Sequence, residues 1–217
     1  MINPSIYADF LSATKYCDVE SPEIQKQTLR LISSADNINA AIRIFNWVRD
    51  DVKYAFDYWN VKASETIQKM CGMCANKANL QIAMLRTAGI PAGYGVIRIK
   101  KEALKTIAND EIYTKSSDIT IHIFCCVFLN GQWVSADATV DKELFDAAYL
   151  EVPGWKYSDW NGDNHLQMSP RYIVENLGTF ANIDEYMDIP PRFLNNDIIS
   201  RANKYIEKLR LKHLLGF

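Results

Sequence analysis

Three residue types in this chain can together do acyl chemistry: a cysteine, a histidine and an aspartate. Cys74 follows Gly72-Met73 and precedes Ala75-Asn76-Lys77-Ala78-Asn79-Leu80, a run of helix formers that continues to Gly89-Ile90-Pro91-Ala92. A thiol there stands at the mouth of a helix, where aligned backbone dipoles and free N–H groups stabilise a thiolate. To attack a carbonyl it needs a base, and the base needs an orienting group. Of the three histidines, His213 sits in a charged tail and His165 among aromatic and polar residues, while His122 lies in an apolar alternating run. Asn130-Gly131 follows, the strongest short hairpin signal, with Asp137 beyond it. With those two as turn residues, Leu129 faces Gln132, Phe124 faces Asp137 and His122 faces Thr139. His122 and Asp137 are then diagonal neighbours on one face, about 7–8 Å apart at the backbone and within reach of an imidazole–carboxylate hydrogen bond. A slip of one residue would part them.

Each residue also has a plainer reading. His122 can be a core histidine satisfied by a nearby acid. Cys74 can pair with Cys71 in a C-x-x-C, as a redox dithiol or half of a zinc site. Zinc needs two further ligands, and Cys125-Cys126, adjacent in a strand, should point to opposite faces. No metal is expected.

The elements that must position these residues show in the periodicity. Ser21-Pro22-Glu23 starts a helix to about Ile32, and Asp36 or Asn37 caps a second, with Ile38, Ala41, Ile42, Phe45 and Val48 on one face. Residues 64–70 show no clear pattern. The Cys74 helix extends to about Ala88, where Gly89 is a left-handed cap, and its apolar circumference predicts burial on most sides. The period then changes to two: a strand over 94–100, a polar excursion over 101–118 with a short helix around 102–108, a strand over 119–129 and its return over 132–139. Residues 151–165 read as an aromatic-studded loop. Ser169-Pro170 reads as a short helix start, 182–191 as irregular, and 197–215 as a basic amphipathic helix. The excursion and the aromatic loop are expected to rim a cleft, with Trp155, Tyr157 and Trp160 as substrate-binding candidates.

A length of 217 residues suits a single domain over 1–217, its core at about 20–140 and a C-terminal loop and helix extension over 141–217. A net charge of -2, without a basic patch, predicts neither a nucleic-acid nor a membrane partner. No apolar run approaches the roughly 18 residues a bilayer span requires. Met1-Ile2-Asn3-Pro4-Ser5 lacks the parts of a signal peptide, so the expected location is cytoplasmic, where five cysteines would stay reduced.

Gly72-x-Cys74-x-x-x-Ala78-x-Leu80, followed by Leu85-Arg86-x-x-Gly89-Ile90-Pro91-Ala92, resembles the nucleophile helix of the transglutaminase-like superfamily. His122-Ile123-Phe124, then Val127-x-Leu129-x-Gly131-x-Trp133-Val134 and Asp137-Ala138-Thr139, is similar to that family's histidine and aspartate strands. Phe45-x-Trp47-Val48-Arg49-Asp50-x-Val52-x-Tyr54 resembles its entry helix and the strand after it. The resemblance covers about residues 38 to 140. It implies an α+β, papain-like fold, with the nucleophile at the N-terminus of a central helix packed on an antiparallel sheet. It also implies a catalytic triad of Cys74, His122 and Asp137: Cys74 attacks an amide, peptide or thioester carbonyl, His122 protonates the leaving group and then activates the acceptor, and Asp137 orients it. The oxyanion would be held by the Cys74 N–H and a side-chain donor, for which Tyr54 is the candidate.

The chain departs from the family at Ile123-Phe124, where a small residue and tryptophan are common, and at Gly93, where arginine is frequent; the family-like role of Arg86 is structural. The substrate would be a small-molecule, peptide or carrier-bound acyl group. Hydrolysis, as an amidase or peptidase, is preferred because water is always available as acceptor. The alternatives are an acyltransferase forming an amide bond to an amine, as in small-molecule biosynthesis, and a catalytically inactive interaction module that uses the basic C-terminal helix. No cofactor is implied, and the chain lacks the extra β domains and calcium loop of the eukaryotic cross-linkers.

Overall fold

The computed structural model describes residues 4–32, 36–189 and 191–216. Helix α1 (Pro22–Ile32) is followed by α2 (Asn37–Asp50), whose cap is Asp36: its carboxylate accepts the Asn39 N–H at 2.9 Å. Both helices turn apolar faces inward, with Ile24 on α1 and Ala41, Ile44, Phe45 and Val48 on α2. Strand β1 (Lys53–Tyr54) comes next, then α3 (Ala63–Lys69), the segment whose sequence shows no clear pattern, and β2 (Cys71–Gly72). β1 and β2 pair in parallel, Tyr54 with Gly72, and bring Tyr54 to the threshold of the central helix.

That helix, α4 (Cys74–Thr87), is buried from Cys74 through Arg86. Gly89, at φ +75°, reverses the chain where an L side chain would be strained. One flank of α4 meets an antiparallel sheet of order β5-β4-β3-β6, and the others meet α1, α2 and α3. The strands are β3 (Ala92–Lys100), β4 (Ile119–Leu129), β5 (Gln132–Ala136) and β6 (Ile173–Phe180). Along β4, Ile123, Cys125, Val127 and Leu129 enter the main core, while Phe124 and Cys126 join a second cluster with Ile97, Ile99 and Met168. The adjacent cysteines therefore point opposite ways, as the strand period requires.

The sheet has a strand that the sequence does not announce. β6 carries Glu175, Asn176 and Gly178, is largely exposed, and pairs with β3 through two register shifts, so no clean alternation marks it. The short helix expected around 102–108 is instead a 3₁₀ turn, Lys101–Leu104, and the α-helix of this excursion is α5 (Asp110–Lys115), started by Asn109 accepting the Ile112 N–H. After β5 come α6 (Lys142–Ala148), the short α7 (Asp184–Met187) and α8 (Asn196–Leu214). Among the described residues no helix is long and apolar enough to cross a membrane. The observed fold is α+β, a buried helix that begins at Cys74 packed on an antiparallel sheet.

Candidate active site

Cys74 takes the first position of α4 because the chain before it is extended at Met73 and free of a side chain at Gly72. A Cβ on Gly72 would come within 2.7 Å of the Asn76 Cβ, so that approach admits only glycine. Asn76 locks the turn: its Oδ1 accepts the Met73 N–H at 3.0 Å and its Nδ2 donates to the Tyr58 carbonyl at 2.9 Å. As a first-turn amide, the Cys74 N–H has no acceptor within the helix and is available to an incoming oxyanion.

The hairpin has the register the turn dictates. Asn130 and Gly131 both take positive φ, Leu129 pairs with Gln132, and pairing runs back to Cys125 with Ala136. There β5 ends, leaving the His122 stretch of β4 paired with β3. The chain continues into Asp137, whose Oδ2 lies 2.7 Å from His122 Nε2. Both side chains are nearly closed to solvent, at 6% and 7% exposure, which makes the contact a buried charge-assisted hydrogen bond. The other carboxylate oxygen accepts the Thr139 N–H at 3.1 Å, and the Asp137 N–H donates to the Leu166 carbonyl at 3.0 Å. Burial pushes the His122 imidazole down, but the Asp137 charge and hydrogen bond outweigh it, and with the Cys74 thiol they raise the imidazole to about 10. Burial acts against ionisation of Asp137, yet His122 and Thr139 hold its carboxyl below the usual range. With Nε2 committed to Asp137, Nδ1 is the ring nitrogen open to the thiol.

Tyr54 lines the same cavity as Cys74 and His122. Burial, then the neighbouring Cys74, pushes its phenol well above its ordinary value, so the hydroxyl stays a donor. Two residues that sequence reasoning passed over hold it there. Asp141, fully buried, accepts the Tyr54 N–H at 2.8 Å and caps α6 through the Leu144 N–H. Arg210 of α8 donates to Asp141 at 2.6 Å and to the Tyr54 carbonyl at 3.2 Å. Asn203 of α8 pairs both backbone groups of Phe56 in the same manner. Nothing local in the sequence connects positions so far apart.

The aromatic candidates divide. Trp155 and Tyr157 line the cavity; Tyr157 donates to Asp50 at 2.7 Å and covers the Arg49 guanidinium. Trp160 does not: it is 2% exposed, donates to the Asn164 carbonyl at 2.9 Å and packs on Phe45, so it is a core residue. Its placement follows from its size, since a loop crossing α2 covers apolar surface best with an indole. Arg86 spends its guanidinium on the carbonyls of Ala92, Ser12 and Ala181, a structural role. Lys77, one turn below the thiol, is fully buried and donates to the Arg49 carbonyl at 3.0 Å; burial pulls its amine down to about 7 against the raising charges of Asp141 and Asp50.

All five cysteines are free, and among the described residues no His, Cys, Asp and Glu group could hold a metal ion. Burial pushes the thiols of Cys17, Cys71, Cys125 and Cys126 up, Cys17 to about 11.

The sequence pattern of the transglutaminase-like superfamily matches residues 26–138, more than half of the chain. The chain belongs to this superfamily. Among solved structures, a proposed cysteine protease from Cytophaga hutchinsonii aligns with a TM-score of 0.50 and 23% identity, over 64% of this chain and 43% of that one. The chain thus spans less than half the length of that protein, and the likeness is one of fold. Comparison with curated proteins finds no significant match. The superfamily match takes in the residues from α1 to just past Asp137; α6, β6 and α8 lie beyond it.

Proposed function

We propose that the protein is a cysteine-dependent acyl-transfer enzyme with Cys74 as nucleophile, His122 as acid and base, and Asp137 as its orienting carboxylate. The observation that carries this reading is the buried 2.7 Å His122–Asp137 contact in the cavity that also holds a thiol at the first position of a helix. Cys74 adds to an ester, thioester or amide carbonyl, and the oxyanion is met by the Cys74 N–H and the Tyr54 hydroxyl. His122 delivers its proton to the departing group, leaving a thioester on Cys74, and then takes a proton from the acceptor that releases the acyl group. We take water as the preferred acceptor, which makes the protein a hydrolase. The second reading, transfer to an amine, is favoured by the burial of all three side chains, which limits water at the thioester.

Intact-protein mass spectrometry after mixing with activated esters and thioesters tests the reading. The expected result is one added acyl group, absent in Cys74→Ser and lost with time, faster in the presence of an amine only if the second reading holds. Iodoacetamide at neutral pH is a parallel check. Cys74 should label ahead of the four thiols that burial holds up, and His122→Ala should remove that lead. Equal labelling of all accessible thiols in both proteins would sink the catalytic reading.

A further inference from the structure

The cavity at the thiol has a volume of about 550 Å³, within the range of sites that enclose a small-molecule ligand. Its floor is the site itself, and its walls come from segments that no step of the chemistry uses. The excursion between β3 and β4 supplies Leu104, Ile107 and Ile112, and other segments supply Phe145, Trp155 and Phe193. These are apolar side chains; of the polar ones beside them Ser117 and Ser158 are exposed and Thr120 is half-buried, and three more are already committed. Ser116 donates to the Ile112 carbonyl and Gln167 to Ser135, while Arg49 is held by Asp50 and the Ser158 carbonyl. Lys156 and Arg192 are exposed to solvent. Of the lining's wholly buried polar side-chain atoms, only Trp59 Nε1 lacks a partner among the described residues. Beyond the triad, then, the interior offers a substrate no buried charge to pair with and little to hydrogen-bond. A strongly polar side chain entering it would give up water for little beyond the Trp59 N–H.

Resting on the proposed acyl chemistry, we infer that this cavity is an acyl-chain pocket: the substrate is an ester or thioester of an extended apolar acid, whose hydrocarbon part enters the cavity while the leaving group stays outside. In the acylation step the Cys74 sulfur forms its bond to the carbonyl carbon and the bond from that carbon to the leaving oxygen or sulfur breaks. The thiol proton passes through His122 to the departing group. No oxidant or reductant is needed.

The test is the rate of nitrophenol release from a series of p-nitrophenyl esters, acetate to decanoate, with Cys74→Ser as the blank. The expected result is a kcat/KM that climbs by about fourfold for each methylene buried until the chain outgrows the cavity. Leu104→Trp should lower the hexanoate-to-acetate ratio and Leu104→Ala should raise the ratio for longer chains. A flat or falling series with turnover intact would overturn the pocket and leave the cysteine chemistry standing. Ratios unchanged in both Leu104 variants would do the same. If no ester acylates Cys74, the proposed function fails, and the pocket with it.

Discussion

Replacing Asp137 by asparagine keeps the shape of the side chain and removes one charge from a buried contact. In the native site that charge overcomes the effect of burial and lifts His122 from an ordinary 6.5 to about 10. Both that rise and the usual cost of breaking a buried pair correspond to about 3–5 kcal/mol of preference for the imidazolium. In Asp137→Asn burial is opposed by Cys74 alone, so the ring loses most of its preference for the charged form and is no longer pinned with its Nε2–H toward a carboxylate. If that free energy is felt in the transition state, acylation should slow by about 10²- to 10⁴-fold. The assay is single-turnover release of nitrophenol from an activated ester, with iodoacetamide labelling of Cys74 followed from about pH 5 to about pH 10. The labelling advantage of Cys74 at neutral pH should shrink, because a neutral imidazole no longer holds the sulfur as thiolate. Rates within about threefold of the native protein at every pH would refute the role given to Asp137, since a tenfold change corresponds to only about 1.4 kcal/mol.

Three further outcomes are expected. The ion pair should stabilise the fold in a definite window: the raised His122 contributes fully below 6.5 and loses its contribution as pH rises through about 10, while the lowered Asp137 contributes above 3.8 and loses it on acidification. Urea midpoints of the native protein and His122→Ala should therefore differ most between about pH 4 and pH 6.5, and a gap that widens toward alkaline pH contradicts the assignment. Tyr54→Phe should slow acylation by about 10²- to 10³-fold with little change in thermal midpoint; an unchanged rate removes Tyr54 as an oxyanion donor. Arg210→Ala leaves the buried Asp141 carboxylate without its cation and should cost about 3–5 kcal/mol in denaturant unfolding, so a loss under about 1 kcal/mol would mean that α8 does not clamp β1.

The parts of the site that were legible in the sequence are those set by local rules. A two-residue Asn-Gly turn leaves one hairpin register open, and counting back from it puts His122 and Asp137 on one face. Glycine before Cys74 and glycine after its helix mark both ends of α4. What could not be read depends on contacts far apart in sequence. Trp160 sits in a loop whose composition matches that of Trp155 and Tyr157, and only the course of the chain decides which indole is buried. β6 pairs by backbone at an irregular, exposed edge, so its side chains need not alternate. The Asp141–Arg210 pair that fastens Tyr54 spans elements with no common periodicity, and the helix's apolar circumference does not show that the Lys77 amine is buried with it.

The cavity is assembled from two sources. Its floor comes from the central helix and the strands that carry Cys74, His122 and Asp137, and much of its wall comes from a short 3₁₀ turn, a six-residue helix and irregular chain. Wall segments of that kind tolerate insertion and exchange far better than a central helix does. A randomised library confined to 101–118 and 151–168 would change which acids fit while leaving Cys74, His122 and Asp137 on their own scaffold. Descent with altered diet, rather than altered chemistry, is the course this architecture leaves open.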